Sequence, residues 1–217
     1  MKDFKIVWSA RSECGPNRKK NEDTIFPAIS GSSKPPFKAA VCDGLGGHVN
    51  GDVASKIAAD TLLKEITDLN QIITEANKNI LQYQEKNPSS LGMGTTMTAI
   101  SIDSDALMKI GHVGDSRCYV LSDRNLIKVT EDQNVPGYQN VLKQALGSNE
   151  KLNIQEVDFQ LQIGDVVFLC SDGLYNEVGE EYIKKKMQDG ISADTFVSEV
   201  LLLNPKDNVS AIVINVV

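Results

Sequence analysis

Three features of the 217-residue sequence predict an α+β fold with mostly antiparallel sheets. Short apolar segments recur along the chain between polar or glycine-containing joints, as strands do. Helical periodicity is confined to two pairs of segments, one ahead of residue 90 and one after residue 178. The regular strand-helix-strand alternation of a parallel sheet is missing, so helices are expected to cover sheet faces. A hydrophobic content of 41% over this length predicts one compact domain spanning residues 1–217.

In chain order, residues 4–9 read as a first strand and residues 24–29 as a second, with the polar stretch 11–20 and its Gly15-Pro16 turn between them. Residues 30–36 form a hairpin tip that leads into an apolar strand at 37–42. That strand stops at Asp43, and four glycines fall between Gly44 and Gly51. Glycine lets the backbone approach a ligand closely, so this turn can present the Asp43 carboxylate and the Gly44 carbonyl at one rim. Val53, Ile57, Ala58, Leu62, Ile66 and Leu69 then recur at helical spacing, with Asp60 and Lys64 placed to pair on the other face. A second helix is predicted over 71–85, with Ile73, Ala76, Ile80 and Tyr83 as its stripe and Asn87-Pro88 as its stop.

Strands are predicted at 94–102, 106–113 and 116–121, with 126–129 as a candidate extension of the meander. Residues 130–137 are polar and irregular, and 141–146 is too short to assign. Two more strands follow at 157–161 and 166–170, the second ending on Ser171-Asp172-Gly173. Helices at 179–188 and 193–203, Pro205, Asp207-Asn208 and a strand at 209–217 complete the chain.

A net charge of −7 argues against electrostatic binding to nucleic acid or to an anionic membrane, both of which need basic patches. No apolar run reaches the length of a membrane span, and residues 1–10 do not have a signal-peptide pattern, so a cytoplasmic protein is expected. Cys14, Cys42, Cys118 and Cys170 lack paired spacing and read as reduced, buried cysteines. Two histidines, His48 and His112, leave little material for a zinc site or a Ser-His-Asp triad.

Asp23, Asp43, Asp115, Asp172 and Asp207 all fall at predicted strand or loop ends. Each alone is equally an ordinary turn aspartate. Together they can converge on one sheet edge, where carboxylates stay ionised only if cations neutralise them. An oxygen-only donor set points to Mg²⁺ or Mn²⁺.

The ordered set Gly15-x-x-Arg18-x-x-Asn21-Glu22-Asp23, Asp43-Gly44-Leu45-Gly46-Gly47-His48-x-x-Gly51, Gly94-Thr95-Thr96, Gly111-His112-Val113-Gly114-Asp115-Ser116-Arg117, Gln144-Ala145-Leu146-Gly147, Ser171-Asp172-Gly173-Leu174 and Asp207-Asn208 resembles the metal-dependent protein phosphatase family, type 2C, in its bacterial form. The resemblance implies a four-layer α-β-β-α sandwich, two packed antiparallel sheets flanked by helix pairs. It implies a serine/threonine protein phosphatase that hydrolyses phosphoproteins with water activated between two Mn²⁺ or Mg²⁺ ions, in opposition to a serine/threonine kinase. Asp43 would bridge the ions, Asp172 and Asp207 would complete one site, and the Gly44 carbonyl with Glu22 and Asp23 would serve the other. Asp115 and Asp172 would hold a third ion, and Arg18 would grip the substrate phosphate, for which its planar fork is suited.

Three departures from the family pattern stand out. Leu45 occupies the place of a histidine proposed elsewhere as general acid, and His48 is read as capping or packing the turn. His112 is read as structural. Thr130-Glu131-Asp132-Gln133-Asn134 stands where Asp-His-Ser is usual, and the flap subdomain is reduced to a short loop at 135–143. A non-catalytic binding module on the same fold is the competing expectation, motivated by that short flap. A phosphatase of small phosphate esters is a third.

Overall fold

The computed structural model describes residues 4–46, 50–148 and 150–217, without the side chains at 139 and 140. The first strand, β1 (Ile6–Glu13), is followed by β2 (Asp23–Phe26), β3 (Gly31–Ser33) and β4 (Phe37–Asp43). Helices α1 (Gly51–Asp60) and α2 (Leu69–Lys86) precede β5 (Met97–Ile102), β6 (Leu107–Val113), β7 (Arg117–Ser122) and β8 (Asn125–Lys128). A hairpin of β9 (Asn134–Val135) and β10 (Tyr138–Leu142) leads to β11 (Gln155–Gln160) and β12 (Val166–Cys170). The chain ends with α3 (Asp172–Tyr175), α4 (Glu180–Gln188), α5 (Ala193–Leu201) and β13 (Val209–Val216).

One sheet has the order β3-β1-β13-β12-β7-β8 and the other β11-β6-β5-β4-β2, with every pairing antiparallel. Strand periodicity explains why two sheets and two helix layers follow from one chain. Along β4, Ala39 and Val41 enter the core between the sheets, whereas Ala40 and Cys42 face the core under α1 and α2. Along β13, Ile212, Ile214 and Val216 face between the sheets and Val209, Ala211 and Val213 pack with α4 and α5. Side chains two residues apart share a face, so near-continuous apolar strands must be covered on both sides. The result is the α-β-β-α sandwich that the sequence leads one to expect.

Several boundaries differ. The first predicted helix runs too far: α1 stops at Asp60, a 3₁₀ turn occupies Thr61–Leu63, and Ile66 lies in a non-helical link. The break is held from the sheet, where Lys38 Nζ donates to the carbonyls of Leu62, Lys64 and Ile66 at 3.4, 3.2 and 2.6 Å. Asp60 therefore pairs with Lys56, and Lys64 pairs with Glu75 across the link. The predicted loop at 135–143 is a hairpin, and the tip at 30–36 contains β3, which crosses to pair with β1 in the other sheet. Cys14 is exposed, contrary to expectation, while Cys42, Cys118 and Cys170 are buried free thiols.

His112 is structural. Buried in β6, it makes hydrogen bonds with Thr98 Oγ1 at 2.8 Å and the Glu131 carbonyl at 3.1 Å. Burial lowers its pKa to about 4 from 6.5, against the partly opposing effects of the Glu131 carbonyl and Asp132. Between those values the unfolded chain holds a proton that the folded chain lacks, so this residue removes stability as pH falls. Its contribution is expected to be about 2 kcal/mol lost between pH 7 and pH 5. Denaturant unfolding of wild type and His112→Gln at both pH values measures it: the variant should have the weaker loss, and an identical pH dependence would show the assignment to be wrong.

Candidate functional site

Antiparallel pairing brings the predicted acidic residues to one end of the sandwich. Asp43 ends β4, directly opposite Asp23 at the start of β2. Asp115 lies in the turn between β6 and β7, Asp172 follows β12, and Asp207 precedes β13. Cys170 pairs with both Arg117 and Ala211, so the last three fall on neighbouring strand ends. Asp43, Asp115, Asp172, Asp207 and Arg18 line one cleft of about 950 Å³. Asp23 lies beneath it, and its carboxylate accepts a 2.6 Å hydrogen bond from Ser210 in the facing sheet.

The floor is rigidly built. Asp43 N donates to Thr96 Oγ1 at 3.0 Å, while Thr96 N and Thr95 Oγ1 donate to the Asp43 carbonyl at 2.8 and 2.9 Å. Gly44 N donates to the Glu22 carbonyl at 3.1 Å, and no hydrogen bond among the described residues uses the Gly44 carbonyl. A Cβ at Gly44 would lie 2.4 Å from the Gly51 carbonyl oxygen and 2.6 Å from that of Glu22, so only glycine fits. Asn208 fixes the preceding loop by accepting from Glu22 N at 3.0 Å and donating to the Lys20 carbonyl at 3.1 Å. Thr95, Thr96, Asn208 and Ser210 are the positioning residues that sequence reasoning did not assign. Gly94-Thr95-Thr96 and Asp207-Asn208 carried a signal as motifs, but Ser210 carried none.

Electrostatically the cluster is under strain. Burial raises Asp43 well above the ordinary carboxylate range, and the charges of Asp23, Asp172, Asp115 and Asp207 add to the effect. Burial likewise raises Asp172 to about 7, helped by Asp115, Asp207 and Asp23. Asp23 is pushed up to about 6 by burial, although Ser210 and Ser171 favour its charged form. Asp115 and Glu22 are also raised by burial, opposed by Asn134 and Arg18 respectively. Such a group releases its protons readily only when cations compensate the charge.

The donor set fits hard divalent cations: carboxylates and a backbone carbonyl, with no thiolate or imidazole among the described lining residues. No three Asp, Glu, His or Cys side chains among the described residues are spaced to grip a single ion by themselves. That arrangement suits Mg²⁺ or Mn²⁺ better than an all-protein cage does, since ions of this type use few carboxylates and keep several waters.

Arg18 lies at the cleft mouth, where its Nη2 reaches Asp207 Oδ2 at 2.5 Å, Nε donates to the Lys206 carbonyl at 3.2 Å, and Nη1 is 3.9 Å from Glu22. The guanidinium is thus an ion-pair partner of two predicted metal ligands. Val141, Leu142 and Lys143 of the hairpin and its exit form part of the cleft wall, and Leu45 lines the cleft where a histidine was the family expectation. His48 lies outside the described residues. Behind Asp115, Arg117 forms a bidentate pair with Asp132 at 2.6 and 3.0 Å and stacks 3.5 Å from the Tyr175 ring centroid.

The sequence profile of the Protein phosphatase 2C family matches residues 16–201. Serine/threonine phosphatase stp of Listeria monocytogenes is 32% identical over 238 aligned residues, covering 94% of this chain and 93% of that protein. Serine/threonine protein phosphatase PstP of Mycobacterium tuberculosis is 30% identical over 240 residues, covering 98% of this chain and 45% of the relative. A crystal structure of the PstP catalytic domain in complex with two manganese ions superposes with a TM-score of 0.86 at 29% identity, covering 99% of each chain. Matched by that profile along most of its length, and by relatives at 30% identity or more, the chain belongs to the protein phosphatase 2C family.

Proposed function

We propose that this chain is a metal-dependent serine/threonine protein phosphatase, with residues 1–217 acting as one catalytic unit on phosphoserine and phosphothreonine. The observation that carries the proposal is the position of Asp43 on the cleft floor. It pairs with Asp23 across the β2–β4 ladder and lines, together with Asp115, Asp172 and Asp207, the cleft that Arg18 borders.

Asp43 with Asp172 and Asp207, together with bound water, would hold one divalent cation, and Asp43 with the Gly44 carbonyl, Glu22 and Asp23, again with water, the other. Asp115 and Asp172 would serve a third. When bound, such cations supply Lewis acidity that activates water and neutralises phosphate charge. The chain's own contribution is to hold the oxygen donors in fixed positions before substrate arrives, chiefly through the bonds from Thr95, Thr96 and Ser210. Arg18, at the cleft mouth beside Asp207, would pair two phosphate oxygens with its fork. Leu45 can hold no proton, so protonation of the leaving alcohol falls to solvent in the cleft or to an acidic side chain lining it.

No helix among the described residues is long and apolar enough to cross a membrane. With the net charge of −7, this supports a cytoplasmic site of action on phosphoproteins, opposite a serine/threonine kinase and without nucleic-acid or membrane partners. Purified chain with Mn²⁺ should hydrolyse a phosphothreonine peptide, and EDTA should remove that activity in a manner that added Mn²⁺ restores. Full hydrolysis in EDTA would exclude the metal mechanism. Mn²⁺ binding without turnover would favour the binding-module reading.

A further inference from the structure

Asn134, the first residue of β9, donates its side-chain amide to Asp115 Oδ2 at 3.0 Å. Its neighbours fix that donor in place. Gln133 takes both backbone groups of Gly114: Gln133 N donates to the Gly114 carbonyl at 2.9 Å, and Gly114 N donates to Gln133 Oε1 at 2.9 Å. Gln144, just beyond the hairpin, donates to the same Gln133 Oε1 at 2.8 Å and to the Asn153 carbonyl at 2.7 Å. Lys143 N donates to the Gln133 carbonyl at 2.8 Å. The two ends of the β9–β10 hairpin are therefore stapled to each other and to the turn that carries Asp115.

From the opposite side, Tyr175 donates its hydroxyl to the Asp115 carbonyl at 3.1 Å. The backbone of Asp115 is thus held by Tyr175 and by the Gly114 pairing, and Asn134 is the residue that sets its side-chain rotation. Asp115 lines the cleft beside Asp172, whereas Asn134 does not reach the cleft itself. Asn134 thus occupies one acceptor site of a carboxyl group whose residue lines the cleft with Asp172.

We propose that Asn134 is a positioning residue that orients the Asp115 carboxylate for a divalent cation shared with Asp172, and that the Gln133–Gln144 staple ties this site to the hairpin wall. The inference rests on the phosphatase reading above. It concerns the stretch Thr130–Asn134, which stands where the family pattern has Asp-His-Ser. A side chain that orients a ligand without touching the ion typically changes metal affinity by about 10- to 100-fold when removed.

The test is Mn²⁺ binding to the whole chain, followed by calorimetry and by the electron paramagnetic resonance of free Mn²⁺. Asn134→Ala should weaken the loosest Mn²⁺ site by about tenfold or more and leave the tighter sites unchanged. Asp115→Asn should remove the same site, and the double variant should bind no worse than Asp115→Asn alone. Asn134→Ser retains a hydroxyl donor and should fall between wild type and Asn134→Ala; it also carries the comparison if the alanine variant does not fold. In parallel, the Mn²⁺ concentration for half-maximal hydrolysis should rise while the phosphopeptide KM holds. A wild-type isotherm in Asn134→Ala, or an equal further loss on the Asp115→Asn background, would overturn the assignment. Failure of the wild-type chain to bind Mn²⁺ or to hydrolyse phosphopeptide would instead overturn the phosphatase reading, and this one with it.

Discussion

Asp43→Asn is expected to lose Mn²⁺-dependent hydrolysis by about 10³-fold or more while remaining folded, because the cations proposed to rest on this carboxylate would supply several kcal/mol at the reacting centre. The same substitution should leave thermal stability in EDTA equal to or above that of wild type. The sign follows from the raised pKa of Asp43. A carboxyl group that resists ionisation when folded, but ionises freely when unfolded, costs stability at every pH above its unfolded value, and the cost grows with pH until the folded group ionises. Asparagine has no such cost. The advantage of the variant in EDTA should therefore be small near pH 4 and larger at pH 8, as thermal melts at the two values would measure. Retained turnover, or a variant markedly less stable than wild type in EDTA, would contradict the role given to Asp43.

Gly173→Ala should damage both stability and activity although it changes no charged group. A Cβ at this position would lie 2.0 Å from the Asn208 carbonyl oxygen and 3.1 Å from the Asp207 Cβ, a collision with backbone that no side-chain rotation relieves. The turn after β12 must then move away from the segment entering β13, which separates Asp172 from Asp207. Overpacking of this kind costs about 1–3 kcal/mol or more, and displacement of catalytic groups by about 1 Å can cost about 10²-fold in rate. Denaturant unfolding and phosphopeptide turnover at saturating Mn²⁺ would report the two effects. A variant with normal kcat would show that the Asp172–Asp207 spacing is not critical.

The core and the strand ends were largely legible in the sequence because period-2 apolar runs specify which faces must be buried. Strand β12 was bounded correctly from its apolar run alone, Val166 to Cys170. Helix α1 was extended too far because Ile66 and Leu69 continue its spacing, whereas Lys38, distant in sequence, grips the carbonyls where the chain leaves the helix. The hairpin at 134–142 was read as a loop because its short strands have little apolar pattern. It is held by amide side chains instead, Gln133 with Gln144.

The candidate site divides in the same way. Arg18, Glu22, Asp23, Asp43, Gly44, Asp115, Asp172 and Asp207 could be named from motifs, since the residue types and their places at strand ends follow from the order of letters. Their supports could not. Ser210 on Asp23, Thr96 on Asp43 and Asn134 on Asp115 are contacts between residues 187, 53 and 19 positions apart. The first exists only once the two sheets pack on each other, the second only once β4 and β5 pair, and the third only once β9 folds onto the turn between β6 and β7. The order of residues alone establishes which chemistry the chain is equipped for: a fold covered on both sheet faces, an oxygen-only acidic cluster, and an arginine near it in the chain. How that cluster is held is settled by the packing of the folded chain, because the pKa of each carboxyl depends on burial and on partners that no local pattern encodes.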